Sequence, residues 1–229
     1  MNPFRALLIL LATGGISTTP LAETIYVTLE KDNALAVVEG DTGKLVKTVK
    51  IGKRPRGIVA SPDGLRLYIA VSDDDTLLEV DRASLKVLAR LPSGNDPETF
   101  ALAADGQRVF VSNEDDNQVS VIDLASRRQT RQIAVGIEPE GIATSPDGRW
   151  LVSTSETTNM AHWIDLARLD VVDNTLVDPR PRACRFTHDS QQLWVSSEIA
   201  GSVNILDVAS RTLIKQLRFK IPGVTAEKI

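Results

Sequence analysis

Four glutamates recur at one position of a repeating pattern: Glu30, Glu114, Glu156 and Glu198, with Ser72 as the exception in the slot between the first two. They sit in the short polar stretches LEKDN, SDDD, NEDDN, SETTN and SEIAG. A second column holds Arg56, Glu98, Glu140 and Arg182. Carboxylates standing at one level around an axis could hold a hard cation such as Ca2+, which takes six to eight oxygen ligands. They could equally accept a cationic or hydroxylated partner. The plainer chemistry is that each Glu caps its own hairpin or pairs with a neighbouring arginine, and spacing alone does not separate these outcomes. The candidate ligand- or partner-binding set is therefore Glu30, Arg56, Glu114, Glu140, Glu156, His162, Arg182 and Glu198.

His162 joins that set because of where it falls. In SETTNMAHWID, residues 155 to 165, Met160, His162 and Trp163 occupy positions that the aligned stretches NEDDNQVSVID and SEIAGSVNILD fill with ordinary strand residues. An imidazole there could donate a hydrogen bond, act as a weak acid or ligate a metal. It could also cap a neighbour while Trp163 and Met160 pack between sheets. His188 replaces the proline of an SPDG-type turn at the opposite end of the repeat, so the two histidines are not expected to pair. Cys184, the single cysteine, shares a column with Ile58, Phe100 and Ile142 and reads as a buried apolar thiol. No nucleophile and base pattern stands out, and C-x-x-C-H for covalent haem is absent from the sequence.

The elements that must position these residues follow from the repeat. Prolines at 55, 97, 139 and 181 are 42 residues apart, and so are Asp63, Asp105, Asp147 and Asp189 in the turns SPDG, AADG, SPDG and THDS. Tyr26, Tyr68, Phe110, Val152 and Trp194 keep the same step, as do the acids Glu39, Asp81, Asp123, Asp165 and Asp207. Within a period, runs such as GIVAS, LRLYIAV, LLEVD and LKVLARL are short, rich in Val, Ile, Leu and Tyr, and separated by Asp, Gly, Pro and Asn turns. That pattern predicts four β-strands, A to D, per repeat. Successive apolar residues, as in Leu67-Tyr68-Ile69, require burial on both faces of the sheet. A four-stranded sheet buried on both faces by its own copies is a propeller blade, and periods of about 40 to 45 residues belong to propellers. The fold class is all-β, a propeller of four-stranded antiparallel blades; a solenoid is the competing arrangement.

The pattern begins at strand B (Thr24 to Thr28), supplies A strands from near Gly57, Thr99, Gly141 and Ala183, and ends on a D strand near Leu213 to Phe219. The first blade thus lacks strand A. Residues 23–229 read as a partial propeller of about five blades of an expected seven, its ring open; a five-bladed ring closed without strand exchange is the alternative. Strand alternation puts the B–C hairpins and D–A crossings, with the Glu and Arg columns, at one end. The SPDG turns and the acids closing strand C lie at the other, where recurrence in every repeat predicts a structural role.

Composition narrows the partners. The formal net charge of -4 comes without a basic stripe, which argues against nucleic acid. Residues 1–22, MNPFRALLILLATGGISTTPLA, carry Arg5, a short apolar run and a small-residue end near Ala22, the pattern of a secretory signal peptide. The run is too short to span a bilayer. The expected location is the periplasm, with no membrane span after cleavage.

The repeats YVTLEKDNALAVVEG, LYIAVSDDDTLLEVD, VFVSNEDDNQVSVID and LWVSSEIAGSVNILD resemble the YVTN family of β-propeller repeats. More narrowly, EPEGIATSPDGRWLVSTSETTNMAHWID and LWVSSEIAGSVNILD with the tail FKIPGV are similar to β-propeller proteins associated with PQQ-dependent alcohol catabolism. This resemblance implies an exported, seven-repeat accessory protein working beside a quinoprotein dehydrogenase, a cytochrome or a transporter component. It does not imply that the chain itself holds PQQ. The expectation is a non-catalytic binding or scaffold protein; the alternative is a metal-dependent, lactonase-like hydrolase with a carboxylate-held cation in the channel.

Overall fold

The structure, a computed structural model, describes residues 23–220; the expected signal peptide and the tail after Lys220 lie outside the described residues. Nineteen strands form five antiparallel sheets. The first has three strands, β1 (Thr24–Leu29), β2 (Ala34–Glu39) and β3 (Leu45–Lys50). The second contains β4 (Pro55–Ala60), β5 (Arg66–Val71), β6 (Thr76–Asp81) and β7 (Val87–Pro92). The third contains β8 (Pro97–Leu102), β9 (Arg108–Asn113), β10 (Gln118–Asp123) and β11 (Arg128–Ala134). The fourth contains β12 (Pro139–Thr144), β13 (Trp150–Ser155), β14 (Met160–Asp165) and β15 (Asp170–Leu176). The fifth contains β16 (Pro181–Phe186), β17 (Gln192–Ser197), β18 (Ser202–Asp207) and β19 (Thr212–Arg218). These are the blades the 42-residue step predicts. One boundary differs: the A strands begin at the prolines, two residues earlier than the sequence suggests. Each proline pairs with strand B before the register breaks, as at Pro97↔Asn113, and regular pairing resumes at Phe100↔Val111.

The core lies between blades. On one face of each blade, Tyr68, Phe110 and Val152 point forward. They meet the backward faces of the next blade, carried by Val109 with Val111, by Leu151, and by Leu193 with Val195. Fully burying such a side chain stabilises the fold by roughly 1.5–3 kcal/mol. Trp163 belongs to this packing. It is fully buried and stands edge-on to Trp150 and Phe186, with centroids 6.2 and 6.1 Å apart, and its indole N–H donates to Thr175 Oγ1 at 2.9 Å.

The inner strands pack in order, β4 on β1, β8 on β4, β12 on β8 and β16 on β12. No strand from the far end completes the first sheet among the described residues. Column positions buried elsewhere are uncovered at the two ends: Ile25 and Val27 are 46% and 41% exposed, and Trp194 is 41% exposed. Among the described residues no helix is long and apolar enough to cross a membrane.

At one end of the blades the periodic acids build turns. Asp63, Asp105, Asp147 and Asp189 each accept the backbone N–H two residues on, at 2.9 to 3.1 Å. Gly64, Gly106 and Gly148 supply the positive φ that the turn needs. Asp81, Asp123 and Asp207 each take both the backbone N–H and the hydroxyl of a serine three residues later. These acids are engaged with their own backbone.

Candidate functional site

The other end is built on one local device used four times. Asn33, Asp75, Asn117 and Asn159 end the B–C hairpins in the left-handed region, with φ of 48° to 55°. Asn and Asp tolerate that conformation better than other non-glycine residues. Each side chain then accepts the backbone N–H of the first crossing residue, Arg54, Asp96, Glu138 or Arg180, at 2.8 to 3.1 Å. In return the carbonyls of these four residues accept the N–H of Ser72, Glu114, Glu156 and Glu198. The crossing residues are themselves left-handed, φ 46° to 59°. A non-glycine residue there costs energy that the surrounding hydrogen bonds must offset. After the proline, the break in register turns Arg56, Glu98, Glu140 and Arg182 towards the mouth of the arc, the re-aiming that bulges achieve.

The crossings therefore present one of three tripeptide frames at fixed positions: Arg54-Pro55-Arg56 and Arg180-Pro181-Arg182 at the flanks, Asp96-Pro97-Glu98 and Glu138-Pro139-Glu140 between them. At the flanks, the hairpin Glu of one blade meets the two arginines of the next. Glu30 Oε1 lies 3.2 Å from both Arg54 Nε and Arg56 Nη1. Glu156 pairs with Arg180 at 2.9 Å and with Arg182. Glu198 approaches Arg180 and Arg182 at 3.2 and 3.6 Å. In the centre the arginines are replaced by acids, and Glu114 faces Asp96 and Glu98 instead. One oxygen from each of these three residues lies within 4.8 Å of the others.

Glu98 is fully buried, with Oε1 3.2 Å from Arg54 Nη2 and Oε2 against Arg56. No N–H is aligned on Oε2, which makes no hydrogen bond among the described residues. Burial, reinforced by the nearby charge of Glu140, pushes the Glu98 carboxyl up to about 8 against the opposing pull of Arg56. Glu140 is buried as well, 2.8 Å from Arg182 and 3.5 Å from Arg56, and burial raises its carboxyl despite both cations. Glu30 moves the other way: burial opposes it, but hydrogen bonds from Arg54 and Arg56 and their charges hold it low. Seven carboxylates (Glu30, Asp73, Asp96, Glu98, Glu140, Glu156, Glu198) share the four guanidinium groups. Glu114 adds a further negative charge. A cavity of ≈ 500 Å³ opens beside them, lined by Glu114, Glu138, Glu156, Thr157, Asn159 and Arg180 among others.

The eight residues singled out in the sequence thus separate. Glu30, Arg56, Glu140, Glu156, Arg182 and Glu198 form the ion-pair lattice, and Glu114 stands with the central acids. The glutamate column does not converge as one coordination sphere, because the flanking members are drawn to arginines of the following blade. His162 lies apart, in the B–C–D part of the fourth blade. Its Nε2 accepts the N–H of Gly136 at 3.0 Å, and its Nδ1–H donates to Asn174 Oδ1 at 2.6 Å. Both nitrogens are committed, and burial lowers its pKa, so the ring is held neutral as a strut. A metal or a proton would have to break one of these bonds. Cys184 is partly rather than fully buried, with its thiol pushed up to about 12 by burial, and lines the inner groove beside Ala143 and Phe186.

Arg54, Asp96, Glu138 and Arg180 were missed as site residues. The signal was available in the alternation of R-P-R with D-P-E and E-P-E at one repeat position, which reads as variation only if the blade register is already known.

Comparison with known proteins places this architecture. Among solved structures, a chain of Kuenenia stuttgartiensis hydrazine synthase is similar, with 29% identity over 71% of the present chain and 48% of that chain, at a TM-score of 0.68. The present chain spans about half the length of that protein chain. No curated protein matches. A family model for the YNCE-like beta-propeller matches residues 18–148, more than half of the sequence. With its 42-residue blades and the propeller packing of its inner strands, the chain belongs to the YNCE-like beta-propeller family.

Proposed function

We propose that the chain is a non-catalytic, exported binding or scaffold protein whose hairpin-bearing end docks a cationic surface of a partner. The observation that carries this reading is the excess of carboxylates over arginines at that end, on backbone fixed by the Asn clamps. Pre-set charge of one sign steers and orients a partner of the opposite sign. The commitment of both His162 nitrogens to structural hydrogen bonds supports binding over proton-transfer chemistry. The resemblance of SETTNMAHWID and its flanks to proteins of PQQ-dependent alcohol catabolism points to the partner class: a periplasmic quinoprotein dehydrogenase, a cytochrome or a transporter component.

The test is surface plasmon resonance against purified quinoprotein dehydrogenase and its cytochrome, at low and at physiological ionic strength. The reading expects affinity that falls with salt and drops about tenfold or more when Glu114 and Glu138 are both changed to lysine, in line with loss of close interfacial charge pairs. Absence of binding at low salt, or affinity indifferent to the charge reversal, overturns it. A second reading, a metal-dependent lactonase-like hydrolase, draws on the grouping of Asp96, Glu98 and Glu114. It requires lactone turnover that depends on added metal ion.

A further inference from the structure

We infer that the inner groove binds an organic anion with an apolar body, held by Arg185 and His188 against an apolar floor. The groove follows the inner strands β8, β12 and β16 and has a volume of ≈ 570 Å³. Small-molecule sites occupy about 300–1,000 Å³ and fix their ligands with a few polar groups on a mostly apolar lining. The lining here is of that kind. Phe100, Ile142, Ala143 and Phe186 contribute apolar surface, and no carboxylate is among the lining residues, although the chain carries a formal charge of -4. Thr99 and Thr144 also line it, yet their hydroxyls donate to the carbonyls of Glu140 and Leu102 on neighbouring inner strands.

Two columns of the repeat meet at this groove, and the fifth blade departs from both. Val59, Ala101 and Ala143 share a column with Arg185, and all four line the groove. Pro62, Ala104 and Pro146 share a column with His188, and both Pro146 and His188 line it. Where the other blades present apolar side chains, this one brings two nitrogen donors to a single cavity. Arg185 is exposed and has no carboxylate partner among the described residues. Its charge reaches the floor: burial pushes the Cys184 thiol up, and Arg185 is the cation that opposes the rise. Asp189, the acid adjoining His188, already accepts Thr187 Oγ1 and the N–H of Gln191, at 2.6 and 3.0 Å. Arg182 also lines the groove but is held by Glu140, Glu156 and Glu198, which leaves Arg185 and His188 to orient the anion. The inference goes beyond the docking of a partner at the hairpin end and does not rest on it.

Fluorescence titration of the protein with anilinonaphthalene sulfonate, and in parallel with the uncharged phenylnaphthylamine, tests it. The expected result is one sulfonate per chain, with affinity that falls as salt rises. Arg185→Gln changes an exposed side chain and should weaken the sulfonate about three- to tenfold while leaving the naphthylamine unchanged. Arg128→Gln makes the same charge change on the outer strand β11 and should alter neither titration. Trp194 stands opposite Arg185 on the uncovered face of the fifth blade, where an aromatic probe could also settle. Trp194→Ala should leave sulfonate binding intact if the groove holds the probe. No sulfonate binding, equal affinity in Arg185→Gln and wild type, or loss of binding in Trp194→Ala would overturn the site.

Discussion

The two ends of the blades use the same backbone repeat, yet they differ in where the charge goes. At the SPDG end each carboxylate is spent within a few residues on its own turn: Asp63 on Leu65, Asp105 on Gln107, Asp123 on Ser126. At the hairpin end the local turn is made by Asn33, Asp75, Asn117 and Asn159, which leaves the neighbouring charged side chains free to meet across blades. Their partners then depend on what the next crossing carries. A repeat in which the backbone clamp and the charged position are separate residues can change its surface blade by blade without losing its frame.

The comparison can be broken from the packing side first. Trp163→Ala empties a fully buried site between the fourth and fifth blades and should cost about 3–5 kcal/mol. Denaturant unfolding should show the midpoint falling by far more than for any substitution at either end. If the loss is small, the inter-blade core is not what holds the arc that both ends share.

A smaller effect separates the ends directly. Asn117→Ala removes the exposed bond to the N–H of Glu138 and should cost about 0.5–1.5 kcal/mol. Asp105→Ala removes one exposed turn bond and should cost about 0.5–1.5 kcal/mol. The clamp variant alone should also speed amide exchange at Glu138 and Glu156, whose N–H groups donate to Asn117 Oδ1 and to the Glu138 carbonyl. Equal exchange in the two variants would mean that the clamp does not position the acids.

Most of the frame was legible in the sequence because its signals are local. The 42-residue step, the Asp and Gly turns and the runs buried on both faces each concern residues within one blade. Boundaries shifted where a proline tolerates strand pairing ahead of a bulge, which apolar patterning cannot reveal. The site was legible in part. Glu30, Arg56, Glu140, Glu156, Arg182 and Glu198 could be read as one end of the repeat, but the choice between a shared cation and private arginines is made 24 to 26 residues away, in another blade. His162 misled for a similar reason: its rarity suggested chemistry, whereas its partners Gly136 and Asn174 lie on neighbouring turns and strands and make it a strut. Gly136 gives that ring its space, since a Cβ there would sit 2.6 Å from Nε2.

The most direct test of the claim that the hairpin end carries unrelieved negative charge is stability against pH, in wild type and in Glu98→Gln. Burial raises the Glu98 carboxyl from 4.5 to about 8 in the folded state, so the native protein binds more protons than the unfolded chain in that interval. Its contribution is fully present below about 4.5 and is lost as pH rises through about 8. The SPDG-end acids Asp63 and Asp189, held low by hydrogen bonds, act in the opposite sense and only at acid pH, where stability falls as they protonate. Urea unfolding in metal-free buffer from pH 5 to pH 8 should therefore show wild-type stability declining more steeply than that of Glu98→Gln, which keeps the raised Glu140 carboxyl and the lowered His162. Parallel profiles for the two proteins would contradict the account.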